Sequence, residues 1–299
     1  MWQLFALASL LSTSLQNVSD KWAIVHDRRI EASVATFWRS GLIFIFTLLI
    51  GTTGWLGPIV WYFDWWIIAF ALASVVSAYC YTFMLRKIEV TGIQAETYLM
   101  PLIFLAVDAV YLQAALSAAQ IAGVMLLAAG GFAFAFDGKT HRLKKEFSTW
   151  VWVIYVYWMV FGGFQYYLFK FLHSTQDVNA VSFLASALFI IVALLLLAVV
   201  LRGKYKLLFN ADSARYIPVV AVSKFFDTGG VLLWLTALGY AAVSQVTALG
   251  ALAPLFLFVI AFVVRKETRF NIRERVDKAN FRWKAAAVIL VCAGMVLVS

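Results

Sequence analysis

The sequence predicts an all-α membrane protein: ten transmembrane helices arranged as two five-helix repeats of opposite orientation. Three observations predict it. The chain is 64% hydrophobic and 13% charged, against about a quarter charged in soluble domains. Residues 243–254, VSQVTALGALAP, align without a gap on residues 90–101, VTGIQAETYLMP. This match sets Thr91 on Ser244, Leu99 on Leu252 and Pro101 on Pro254, in a chain with only 4 prolines. The third observation is that Lys and Arg collect in alternate loops.

Apolar runs of about 18 residues or more span a bilayer core as helices. Ten segments qualify: 2–16, 32–53, 65–84, 91–112, 118–136, 150–171, 180–201, 217–238, 245–264 and 284–298. They divide the chain into a first repeat (1–137), a cytoplasmic linker (138–149) and a second repeat (150–299). Helix 1 is short unless it runs on to Ile24, which puts Asp20 and Lys21 at its end. It lacks a basic leader and a cleavage site, so it reads as retained. Cys80 and Cys292 fall inside spans and give no disulfide framework.

The loops after the odd-numbered helices hold nearly all the basic residues, from Lys21, Arg28 and Arg29 to the run between Arg265 and Lys284. On the other side stands Lys170. The positive-inside rule makes the odd loops cytoplasmic and places both termini outside. Arg86-Lys87 follow helix 3, while the matching Gly239-Tyr240 are neutral. Arg265-Lys266 follow helix 9, while the matching Leu112-Gln113 are neutral. The bias has inverted with the repeat, as in secondary transporters whose sites lie between inverted halves. The net charge of +9 therefore reflects topology and contact with anionic lipid, and nucleic acid is not expected as a partner.

Helix 1 carries a polar stripe, Ser9, Ser12, Ser14, Gln16 and Asn17, which reads as interhelical packing with pore lining as the alternative. Arg39 lies about 10 Å into helix 2. An arginine at that depth is either functional or snorkelling to the interface. Helix 3 offers Ser74, Ser77 and Tyr79. Helix 4 carries Glu96, at the depth of Arg39 and its expected partner, and Asp108, deeper and without an evident cation. An unpaired buried carboxylate holds a proton more readily, so Asp108 is the candidate for proton coupling, with interfacial wetting as the plain alternative. Pro101 and Pro254 are expected helix breaks.

Helix 6 is aromatic, and Tyr157 and Trp158 sit too centrally for an interfacial belt. They read either as packing or as a cavity wall that stacks on a ligand. Helix 7 reads as plain packing. Helix 8 sets Lys224 and Asp227 three apart, on one face and able to pair. Arg39, Glu96, Lys224 and Asp227 then share one layer, suited either to a zwitterion or to a fixed tie between helices. The sequence shows no metal-ligand spacing, no phosphate-binding loop and no nucleophile elbow, so neither a cofactor nor enzymatic chemistry is expected.

Trp38-Arg39, Leu99-Met100-Pro101 and Leu252-Ala253-Pro254 resemble the drug/metabolite transporter superfamily, in its ten-helix EamA-like branch. Glu267 and Gln120-Ile121-Ala122-Gly123 are similar to two further elements of its repeat. Ala114 departs from that pattern, and residues 268–282 look like an insertion. The resemblance implies a bacterial inner-membrane carrier of small metabolites, acting as a monomer or weak dimer, with its cavity lined by helices 1, 3, 4, 6, 8 and 9. The expected function is secondary active export of an amino-acid-like solute by alternating access. Arg39 and Lys224 would meet a carboxylate, Glu96 or Asp227 an amine, and Tyr79, Tyr157 and Trp158 the rest of the substrate. The alternative is a lipid-head-group flippase or scramblase of the same superfamily.

Overall fold

The computed structural model describes residues 1–26, 30–87, 100–110, 116–134, 136–137, 142–143, 163–253, 256, 286 and 289–297. Among these the regular structure is helical, apart from one two-residue pairing. The helices are α1 (Trp2–His26), α2 (Ala32–Thr52), α3 (Trp65–Lys87), α4 (Met100–Val110), α5 (Ala118–Phe134), α6 (Gln165–Gln176), α7 (Ala180–Leu201), α8 (Ala211–Tyr240) and α9 (Val243–Leu249). Residues 289–297 are also helical. Each of the ten apolar segments thus contains helix. Over the described residues, Ser33–Thr52, Ala180–Leu201 and Val220–Tyr240 are long and apolar enough to cross a membrane.

Sequence and structure differ at several helix ends. The first helix takes the longer of its two options, continuing to His26 and carrying Asp20 inside it. At the other end of the fold, α8 is 30 residues long and begins well before the apolar run. Asn210 caps it by accepting the Ser213 N–H at 2.8 Å, which satisfies a donor that the helix leaves free. Asn179 caps α7 on Ser182 in the same way, at 2.8 Å. Past Leu249 the helix tightens to a 3-10 turn, Gly250–Leu252, just ahead of Pro254, which lies outside the described residues. Pro101 is the second residue of α4, and residues 88–99 lie outside the described set.

Between 136 and 143 the chain holds a pairing the sequence did not announce. Phe136 faces Leu143 and Asp137 faces Arg142 in a short antiparallel ladder.

Helix 7 also does more than pack. Residues 57–64 cross its first turns as a strap outside any helix. Ser182 and Ser186 accept the N–H groups of Val60 and Tyr62, each at 2.9 Å, and Asn179 donates to the Pro58 carbonyl at 2.9 Å. Hydroxyls thereby satisfy backbone that has no helix or sheet to pair with. Gly57 makes the approach possible. Its φ is 97°, and a Cβ there would stand 3.0 Å from Asn179 Nδ2.

Two apolar clusters hold the helices together. The larger is built from α1, α3 to α9 and the 289–297 helix, with Phe70, Leu127, Phe183, Leu195 and Leu235 at its centre. The smaller joins the start of α2 to α7, α8 and the loop between them, through Val34, Leu42, Val199, Leu208 and Val220. Large apolar side chains also stay exposed, among them Val76, Val110, Val222 and Phe225, as befits helices whose solvent is lipid rather than water.

Candidate functional site

The site is built on the contact of α1 with α8. Ser9 donates to the Gly230 carbonyl at 2.6 Å and Ser12 to the Phe226 carbonyl at 2.7 Å. At Gly230 a Cβ would meet Thr13 Oγ1 at 2.9 Å, so only glycine lets the two backbones close. Small residues and hydroxyls serve membrane helices in this way because packing and hydrogen bonds, not water, drive their association. The stripe on helix 1 is a packing surface at Ser9 and Ser12, as its first reading had it. It also runs one turn further than the apolar segment did, from Gln16 to Asp20.

Asp20 is the hub, and its side chain is fully buried. Its Oδ2 lies 2.6 Å from Arg39 Nη2 on α2 and 3.3 Å from Lys224 Nζ on α8. Gln16 donates to the same oxygen at 3.0 Å, and Ser223 donates to Oδ1. Lys224 Nζ also reaches Asp227 Oδ2 at 2.7 Å. The described charges form a chain, Arg39, Asp20, Lys224, Asp227, drawn from three helices. Its members are almost wholly buried except Asp227, whose side chain is 19% exposed. Coulomb attraction in a low-dielectric interior, plus the four polar partners of the Asp20 carboxylate, offsets the cost of taking these ions out of water.

The predicted layer is therefore partly present. Arg39, Lys224 and Asp227 come together as expected, but through Asp20, which the sequence reading left at a helix end. Glu96, Tyr157 and Trp158 lie outside the described residues. Tyr79 is placed elsewhere: the Arg202 guanidinium stands 5.8 Å above its ring, and its hydroxyl is buried with no hydrogen-bond partner among the described residues.

Asp108 is fully buried, as its depth implied. It is not without partners. Oδ2 accepts the Ser244 N–H at 2.7 Å, and Oδ1 accepts the Tyr167 hydroxyl at 3.2 Å. The Ser244 N–H is a free donor in the first turn of α9, so the aspartate ties α4 to the start of α9. Lys170, on α6, donates to the Leu238 and Ala241 carbonyls at 3.1 and 2.5 Å.

Several buried polar atoms near α1, α3 and α8 have no hydrogen-bond partner among the described residues. They include Ser14 Oγ, Asn17 Nδ2, Ser74 Oγ, Ser77 Oγ and Trp234 Nε1.

No family model and no curated protein matches the chain. Among 25 matching solved chains, one is described only as "Crystal structure of protein". It is 15% identical to this chain and superposes with a TM-score of 0.68 over 100% of this chain and 96% of its own length. The fold is thus one already seen in a solved protein.

Proposed function

We propose that this chain is a membrane-embedded secondary carrier of the drug/metabolite transporter type, built as a 5+5 inverted repeat. It moves a small polar or amphiphilic, amino-acid-like metabolite outward by alternating access, across a bacterial inner membrane with both termini outside. The observation that carries this reading is the buried charge chain Arg39–Asp20–Lys224–Asp227. A charged side chain inside a bilayer costs several kcal/mol even with snorkelling, and such residues mark substrate or ion pathways. A bundle that had only to pack would fill these positions with aliphatic residues at no such cost.

Helix packing supports the repeat. A five-and-five relation pairs α2 with α7, α3 with α8 and α4 with α9. The α3–α7 contact then corresponds to the α8–α2 contact, and both are extensive. The loops follow the same rule. The strap after α2 lies on the start of α7. The loop after α7 returns to the start of α2, where Trp38 Nε1 donates to the Leu208 carbonyl at 3.1 Å and Lys204 meets Glu31 at 2.6 Å.

The test is counterflow. Proteoliposomes of the purified chain, preloaded with unlabelled amino acids, amines or sugars in turn, take up the labelled form of the transported class. Empty or Asp20→Asn vesicles do not. Absence of counterflow for every class, with fluorescent lipid crossing the bilayer instead, replaces the solute carrier by a lipid flippase.

A further inference from the structure

Building on the carrier reading, we propose that Asp227 docks the ammonium group of an amphiphilic organic amine. Lys224 is its built-in competitor, an ammonium that occupies Asp227 until ligand arrives and then passes wholly to Asp20.

The geometry singles out Asp227 within the chain of charges. Its side chain is 19% exposed, against 0% for Asp20, 2% for Lys224 and 7% for Arg39. It also faces inward. On α8 the lipid-like face is marked by Val222 and Phe225, 54% and 53% exposed. At about 100° per residue, Asp227 lies roughly 140° round from the first and 160° from the second. Its open edge therefore looks into the bundle.

Charge decides which group it takes. Lys224 Nζ is shared, 2.7 Å from Asp227 and 3.3 Å from Asp20. An incoming ammonium displaces it from one carboxylate while it keeps the other, so no buried charge is stranded. An incoming carboxylate fares worse. Arg39 and Lys224 already face Asp20, and that anion is fixed on its backbone and held by Gln16 and Ser223. The layer selects amines over acids and zwitterions, which narrows the amino-acid-like class to amines without a carboxylate.

Aromatic side chains stand further along the same face. Trp234 lies on the same face of α8, two turns and about 10 Å beyond Asp227. Its indole N–H is buried with no partner among the described residues, and its ring stands 6.1 Å from that of Tyr166. An aromatic or apolar body suits this wall, and a hydrogen-bond acceptor at its far end would satisfy the indole.

The test uses the full chain in detergent and calorimetric titration with phenethylamine, phenylalanine and 2-phenylethanol. Phenethylamine binds, and the uncharged alcohol and the zwitterion bind at least about tenfold more weakly, the worth of one charge-assisted hydrogen bond. This comparison needs no substitution. Asp227→Asn weakens the amine by a similar factor and Asp227→Glu restores it. Lys224→Met tightens it, because the tethered competitor is gone. Equal binding of amine and alcohol, binding of none of the three, or loss of affinity in Lys224→Met overturns the proposal. Counterflow with the same probes separates the two readings. Phenylalanine exchange unaffected by Asp227→Asn sinks the amine site and leaves the carrier. Amine binding without exchange of any probe leaves the site and sinks the carrier.

Discussion

Replacing Asp20 by Asn isolates the central electrostatic claim, because the side chain keeps its size and loses its charge. In the native bundle the carboxylate is fully buried, with Arg39 at 2.6 Å and Lys224 at 3.3 Å on one oxygen. Neutralising it leaves Lys224 with Asp227 alone and takes from Arg39 a partner at contact distance. Removing one member of a buried ion pair costs about 3–5 kcal/mol, because the remaining charge stays desolvated. For a chain of 299 residues that corresponds to a fall in Tm of roughly 5–8 °C. The assay is thermal unfolding of the detergent-solubilised protein, followed by tryptophan fluorescence. Adding Arg39→Met to Asp20→Asn removes a buried cation together with the anion and leaves Lys224 paired with Asp227. The double variant then recovers part of the loss, with a coupling of about 1–3 kcal/mol. An Asp20→Asn protein within about 1 kcal/mol of wild type would refute the reasoning, since mutational changes of that size need no buried pair to explain them.

Three further outcomes follow from single contacts. Gly230→Ala forces a Cβ to 2.9 Å from Thr13 Oγ1 and 3.4 Å from the Ser9 carbonyl; overpacking there lowers stability by about 1–3 kcal/mol, whereas Gly41→Ala, with nothing within 4 Å, does not, and chemical denaturation compares the two. Glu31, at the start of α2, is raised by burial but lowered more by the hydrogen bonds of Lys204 and Ser33 and the charges of Lys204 and Arg202, so its carboxyl sits below the ordinary 4.5. The folded value is the depressed one, so the stabilisation is present above the unfolded pKa and is lost as pH falls through the folded one. The gap in unfolding midpoint between wild type and Glu31→Gln, worth less than about 1 kcal/mol for so exposed a pair, is therefore open at neutral pH and closes in acid. Asp108→Asn keeps solute exchange and loses pH-gradient-driven accumulation if Asp108 carries the coupled proton; accumulation at the wild-type level removes that role.

Hydropathy made the helices legible, because a lipid-facing helix must be apolar along its length. Helical spacing made Lys224–Asp227 legible, because three residues is nearly one turn. Asp20 is not legible as a hub because the apolar run fades at Gln16 and Asn17, and even the longer option for helix 1 leaves it near the helix end. The signal was in the stripe itself: Ser9, Ser12, Gln16 and Asp20 keep one face at steps of three and four, and Gln16 does hydrogen-bond to Asp20. Other partners carry no side-chain signature at all. Asp108 is held on one oxygen by a backbone N–H, that of Ser244. Ser182 and Ser186 looked incidental in an apolar helix, yet they hold the amides of a strap more than a hundred residues earlier. Residue-type patterns report which groups need partners; backbone donors supplied by distant loops appear only once the chain is folded.

The proposed inverted repeat is tested most directly by the sidedness of two stretches that it would make equivalent, the one after α4 and residues 265–284. Single cysteines are placed at Ser117 and Thr268, with Cys80 and Cys292 replaced, and probed in intact cells with a thiol reagent that does not cross the membrane. The account predicts that Ser117→Cys reacts from outside, while Thr268→Cys reacts only after the membrane is opened. Labelling of both from the same side would mean parallel halves and would contradict it.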